Sequence, residues 1–138
     1  MHCWRRTVAL VLTVAAMTMS GCYMSPPPPA GCVPRITISP AVASPGDTIT
    51  LESDTSCDDP LPDGGWIVTA AHTGSAVVLT QTTSDDQFDG SFAATLVLPA
   101  DFPHGQAYAG IENWDYSFCG GAGSGSCASA TGDFMVRP

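Results

Sequence analysis

Ile36-Thr37-Ile38-Ser39-Pro40, followed by Ser44-Pro45-Gly46-Asp47-Thr48-Ile49-Thr50-Leu51, is the stretch on which the fold turns. Ile36 and Ile38 alternate with Arg35, Thr37 and Ser39, and Ile49 and Leu51 alternate with Thr48, Thr50 and Glu52. Neighbouring side chains of an extended strand point to opposite faces, so this period of two describes strands with one face buried and one wet, where a helix would need a period of 3.6. Pro40 ends the first run because it has no N–H to give a sheet, and Pro45-Gly46-Asp47 supplies the turn into the second. The same reading carried forward predicts a third strand over 66–71, a fourth over 76–82, a fifth whose one face is Phe92, Ala94, Leu96 and Leu98, a sixth over 106–112 and a seventh over 132–137. Turn residues separate them, and nothing beyond residue 31 supports a helix of ten residues or more.

Seven short strands, labelled A to G, in the 32–138 segment have the size and rhythm of an all-β, immunoglobulin-like antiparallel β-sandwich. The A–B stretch quoted above resembles the opening of bacterial immunoglobulin-like surface domains. Leu98-Pro99-Ala100-Asp101-Phe102-Pro103-His104-Gly105-Gln106-Ala107-Tyr108 resembles the same family's E–F corner. Trp66 stands where sandwiches often place a core aromatic on strand C. These motifs are turn chemistry and patterning, and they specify a fold rather than a task.

The rest of the chain is preparation for that domain. Residues 1–21 have the order of an export signal: Arg5 and Arg6, a twelve-residue apolar run from Val8 to Met19, then small residues. The run is short of the roughly 20 apolar residues that a bilayer-spanning helix needs. Met19-Ser20-Gly21-Cys22 resembles the lipobox of bacterial lipoproteins, with Met19 where the family usually has Leu. The resemblance implies cleavage before Cys22, lipidation of its thiol and anchoring on the extracytoplasmic face of a membrane; two or three acyl chains make such anchoring durable. The following 22–31 segment contains Pro26-Pro27-Pro28-Pro29, an extended spacer between the lipid and the domain.

Composition narrows the function classes. The 138 residues are 44% hydrophobic and 12% charged, with a formal charge of −9 and no lysine. Removal of Arg5 and Arg6 leaves Arg35 and Arg137 against thirteen carboxylates, about −11. Phosphate backbones are bound by Lys and Arg, so nucleic acid is excluded as a partner. Four cysteines lie in the domain: Cys32, Cys57, Cys119 and Cys127. No CxxC pair is present and the histidines are remote, which favours two disulfides over zinc. In an antiparallel sandwich the B–C, D–E and F–G loops share one end with the entry to A, and that end receives all four. The adjacency of A and B favours Cys32–Cys57, and Cys119–Cys127 spans one loop; a Cys57–Cys119 tie is the rival.

The same end collects nine of the thirteen carboxylates. Asp85, Asp86 and Asp89 are the best candidate run for a calcium ion, which needs six to eight oxygens, although the alternate spacing and terminal Glu of an EF-hand are missing; the other use of the acids is a solvated surface. Trp114, Tyr116 and Phe118 in the F–G loop serve either as a ligand-binding surface or as packing at the end of the core. For catalysis the domain offers only His72 and His104, at the opposite end, where Asp47 would complete a metal site. No nucleophile elbow, phosphate loop or saccharide cleft accompanies them, so no enzymatic activity and no resident cofactor are expected. The sequence thus describes a tethered envelope module that binds a protein or glycan through its acidic, aromatic end. The alternatives are a structural spacer and a calcium-dependent recognition domain.

Overall fold

A computed structural model of the chain describes residues 31–120 and 127–138. The segment expected to be an export signal, Cys22, the proline run and the Gly/Ser tip of the F–G loop lie outside the described residues. Eight strands form two sheets. Strands β1 (Thr37–Ser39), β3 (Thr48–Ser53) and β6 (Phe92–Val97) make one, in the order β1-β3-β6. The second, in the order β2-β8-β7-β4-β5, holds β2 (Val42–Ala43), β4 (Trp66–His72), β5 (Thr80–Ser84), β7 (Gly105–Ile111) and β8 (Thr131–Val136). A single 3-10 turn, Ser117–Gly120, is the only helical element among the described residues. No described helix is long and apolar enough to cross a membrane. The all-β sandwich read from the sequence is therefore the fold.

Alternation explains the layers. The burial of β6 repeats strictly, inward at Phe92, Ala94 and Leu96 and outward at Ala93, Thr95 and Val97. β3 answers it with Ile49, Leu51 and Ser53 inward, in the register Ile49↔Leu96, Leu51↔Ala94 and Ser53↔Phe92. From the other sheet come Trp66, Val68 and Ala70 of β4, Ala107, Ala109 and Ile111 of β7, and Phe134 and Val136 of β8. Ile49, Leu51 and Val68 are fully out of water, and each such side chain contributes about 1.5–3 kcal/mol.

Two features depart from the alternation. The chain leaves the first sheet after β1 through a cis Ser39–Pro40 peptide and joins the second as β2, parallel to β8. This adds a two-residue strand that the sequence pattern did not separate. The expected strand over 76–82 begins later, at Thr80. Gly74 adopts φ +86°, the Ser75 N–H reaches the His72 carbonyl, and the Ser75 hydroxyl accepts the Val77 N–H. That turn leaves Val77 and Val78 in water, and pairing with β4 starts only with the Leu79 N–H on the Ala70 carbonyl. The β-propensity of a valine pair was outweighed by the geometry of the turn before it.

Ile49→Ala should lower stability by about 2–5 kcal/mol through the cavity it leaves, whereas Thr95→Ala, on the opposite face of the neighbouring strand, should change it by no more than about 0.5 kcal/mol. Urea unfolding followed by tryptophan fluorescence measures both.

Candidate functional site

The antiparallel pairings put the entry to β1 and the β3–β4, β5–β6 and β7–β8 connections at one end of the sandwich. This root end is tied together around Cys32. Its sulfur is bonded to Cys57, with Cα atoms 5.7 Å apart. Its carbonyl accepts the Trp114 indole N–H at 3.0 Å. The ring of Phe118 lies so close to Gly31 that a Cβ there would fall inside it, so residue 31 has no room for a side chain. Three residues on, the Arg35 N–H donates to the Thr55 hydroxyl. The β3–β4 loop is itself pinned, by the Cys57 N–H on the Phe88 carbonyl at 2.7 Å and by a bridge between Ser56 and Asp89. The second disulfide, Cys119–Cys127, closes the β7–β8 loop. Both pairings are the ones preferred from the sequence, the first for the adjacency of its strands and the second because it spans one loop.

Beneath this clamp is an aromatic cluster. Trp114 stacks on Trp66 with centroids 4.9 Å apart and meets Phe88 edge-on at 5.1 Å, and Phe88 stacks on Phe92 at 4.0 Å. Trp114 is only 4% exposed, so of the two uses the sequence left open it takes packing: its indole fills the core and its N–H donates to the Cys32 carbonyl. Tyr116 is half-buried and its hydroxyl accepts the Ala130 N–H at 2.7 Å. Phe118, also half-buried, covers Gly31. All three aromatics are engaged within the domain. The Trp66 indole N–H, by contrast, is buried without an acceptor.

The carboxylates do local work. Asp86 accepts the Gln87 N–H and, at 2.8 Å, the Ala93 N–H on the open edge of β6. Asp89 accepts both the N–H and the hydroxyl of Ser91, which hold its carboxyl below the usual value of 3.8. Ser117 does the same to Asp115, chiefly through its backbone N–H. Asp85 stands against Gly65. Asp85, Asp86 and Asp89 thus serve separate turns and do not converge as a ligand set. Among the described residues the group close enough to share an ion is Cys32, Cys57 and Asp59, and its two sulfurs are consumed in a disulfide. At the far end His72 packs against Gly105 and His104 is exposed; neither joins Asp47 in a described ligand group.

Two open depressions, of about 440 and 490 Å³, share residues 56–60 as a common wall. One opens toward 87–89, the other toward Gly31, Asp115 and Phe118. No protein-family model matches the chain, and no curated protein does. The depressions offer carboxylates and an aromatic edge but no histidine or cysteine thiol.

Sequence reasoning missed Asn113. Its Oδ1 accepts the Ile67 N–H at 2.8 Å and its Nδ2 donates to the Gly65 carbonyl at 3.0 Å, so one side chain continues the pairing with β4 past the end of β7. The available signal was its singularity: it is the chain's only asparagine, placed directly after a strand.

Two outcomes test this geometry. Replacing Cys32 and Cys57 together by Ala should cost about 3.5 kcal/mol, the loop-closure value for their separation, read from denaturant midpoints under oxidising conditions. The lowered carboxyls of Asp89 and Asp115 bind protons less readily folded than unfolded. Their contribution is therefore complete above the unfolded carboxylate range and is lost as pH falls below 3.8 toward the folded values. A melting-temperature profile should show that acid decline, reduced in Asp89→Asn.

Proposed function

We propose that the chain is a membrane-anchored cell-envelope lipoprotein whose non-catalytic immunoglobulin-like domain is a binding or adhesion module, held to its tether at the root end and displaying the rest of its surface. The observation that carries this reading is the clamp on residues 31 and 32. Residues 31 and 32, where the proline-rich 22–31 segment joins the domain in sequence, are held by a disulfide, a buried indole hydrogen bond and an aromatic lid, which suits a domain carried from that end. Structural disulfides also belong to oxidising, exported compartments. The acidic root end opposes docking on anionic lipid through charge, which leaves attachment to acyl chains on Cys22.

The structural-spacer reading gains one specific support: Trp114, Tyr116 and Phe118 are used in packing, so a ligand would have to be met elsewhere on the domain. Calcium-dependent recognition loses ground for the reason that the candidate carboxylates are committed to separate turns.

Intact-mass measurement of the chain from the membrane fraction tests the anchor. The expected mass lacks residues 1–21, carries a diacylglyceryl group on Cys22 and is four hydrogen atoms short of the reduced form. Cys22→Ser should lose that lipid mass. A wild-type chain without lipid, or one recovered wholly in the soluble fraction, overturns the reading.

A further inference from the structure

One of the two root-end depressions leads to the Cys32–Cys57 disulfide. Both cysteines line it, and so do Asp58, Asp59 and Asp115. No Lys, Arg or His lines either depression. Cys57 is buried, but Cys32 is only half-buried. This open space of about 490 Å³ is therefore an approach from solvent to the sulfur pair, and every charge on its described wall has the same sign. Asp59, itself half-buried, brings a carboxylate oxygen to within 4.8 Å of both sulfurs.

We infer that Asp59, with Asp58 and Asp115 behind it, is an electrostatic guard that slows reduction of the Cys32–Cys57 bond by anionic thiols. Reduction is a pair of nucleophilic displacements. A thiolate of the reductant bonds to one sulfur, the Cys32–Cys57 bond breaks, and its electron pair leaves on the other sulfur. A second thiolate then attacks the reductant's sulfur in that mixed disulfide and releases the protein sulfur, so the cystine gains two electrons and the reductant departs as its own disulfide. Negative charge arrives with the attacking sulfur and is spread over three sulfurs during the transfer. A carboxylate beside them opposes both the approach and the transfer. A cleft lined by one sign of charge also concentrates its field in the opening, which brings Asp58 and Asp115 into the approach. Asp59 dominates because Coulomb repulsion falls with distance and is screened by water and salt, and among the described residues it is the carboxylate grouped with the sulfurs. The Cys32 carbonyl and the Cys57 N–H have their own partners in Trp114 and Phe88, which hold the pair beside Asp59 while exchange proceeds. The guard needs neither lipid nor ligand, so it stands or falls apart from the proposed anchor.

Reduction of the purified full chain at low ionic strength tests it, with cysteamine, mercaptoethanol and mercaptoethanesulfonate as cationic, neutral and anionic thiols. Alkylation of the freed thiols and peptide mass mapping give the rate at Cys57. Each rate is divided by the thiolate concentration and by the same thiol's rate on a small neutral disulfide, which removes differences in intrinsic reactivity. The corrected rates should fall in the order cationic, neutral, anionic, by about tenfold from first to last, and high salt should compress that spread to about twofold. Asp59→Asn should narrow the low-salt spread about threefold or more with an unchanged circular-dichroism spectrum. Asp101→Asn, exposed in the β6–β7 connection at the opposite end, should leave it as it is. Equal corrected rates for the three thiols on the wild-type chain overturn the inference, and that measurement decides even where a variant does not fold. A rise by one common factor for all three in Asp59→Asn also overturns it, because a residue that only packs over the bond shields it from every thiol alike.

Discussion

Cys32 is gripped twice, by its sulfur through Cys57 and by its carbonyl through the Trp114 indole. The two grips have different origins. The disulfide restricts the unfolded chain, and the indole bond fixes a direction in the folded one. Between them they convert the first described residues of the domain, ordinarily among its loosest, into part of its core. The rest of the root end follows: Trp114 has to enter the cluster to reach that carbonyl, Trp66 and Phe88 pack on it, and Phe88 in turn presents the carbonyl that holds Cys57.

Much of this was legible in the residues. Alternation at Ile36/Ile38, Ile49/Leu51 and Phe92/Ala94/Leu96 placed three strands and their inward faces correctly, because burial on one face leaves a period of two that few other arrangements produce. The shared end of the loops followed from antiparallel connectivity, and with it the gathering of the four cysteines there, although the choice between Cys32–Cys57 and a Cys57–Cys119 tie stayed open. Less legible was anything settled by a single contact across the fold. A tryptophan in a loop reads equally as ligand surface or core, and only the position of the Cys32 carbonyl decides between them. The valines at 77 and 78 read as strand because propensity is local, while the turn set by Gly74 and Ser75 determines where pairing with β4 can begin. Asn113 acts through both ends of its side chain on a strand 46 residues away in sequence, which no local pattern announces.

The aspartates show how a composition can mislead. Nine carboxylates at one end suggest a cation, but the structure uses several of them as backbone acceptors. Asp86 closes part of an open strand edge, Asp89 and Asp115 tighten turns, and at the other end Asp47 accepts the Ser44 N–H at 2.7 Å. In a chain without lysine these groups have few ionic partners, so N–H donors are what their geometry answers to. Excess negative charge and well-formed loops then come from the same residues.

Two of the chain's three tryptophans, Trp66 and Trp114, lie face to face with ring planes 23° apart. Indoles so placed couple their electronic transitions, and the coupling vanishes once the rings separate. The molecule thus carries an optical gauge beside the Cys32 clamp, and its near-ultraviolet dichroism reports whether that clamp is intact with no added label.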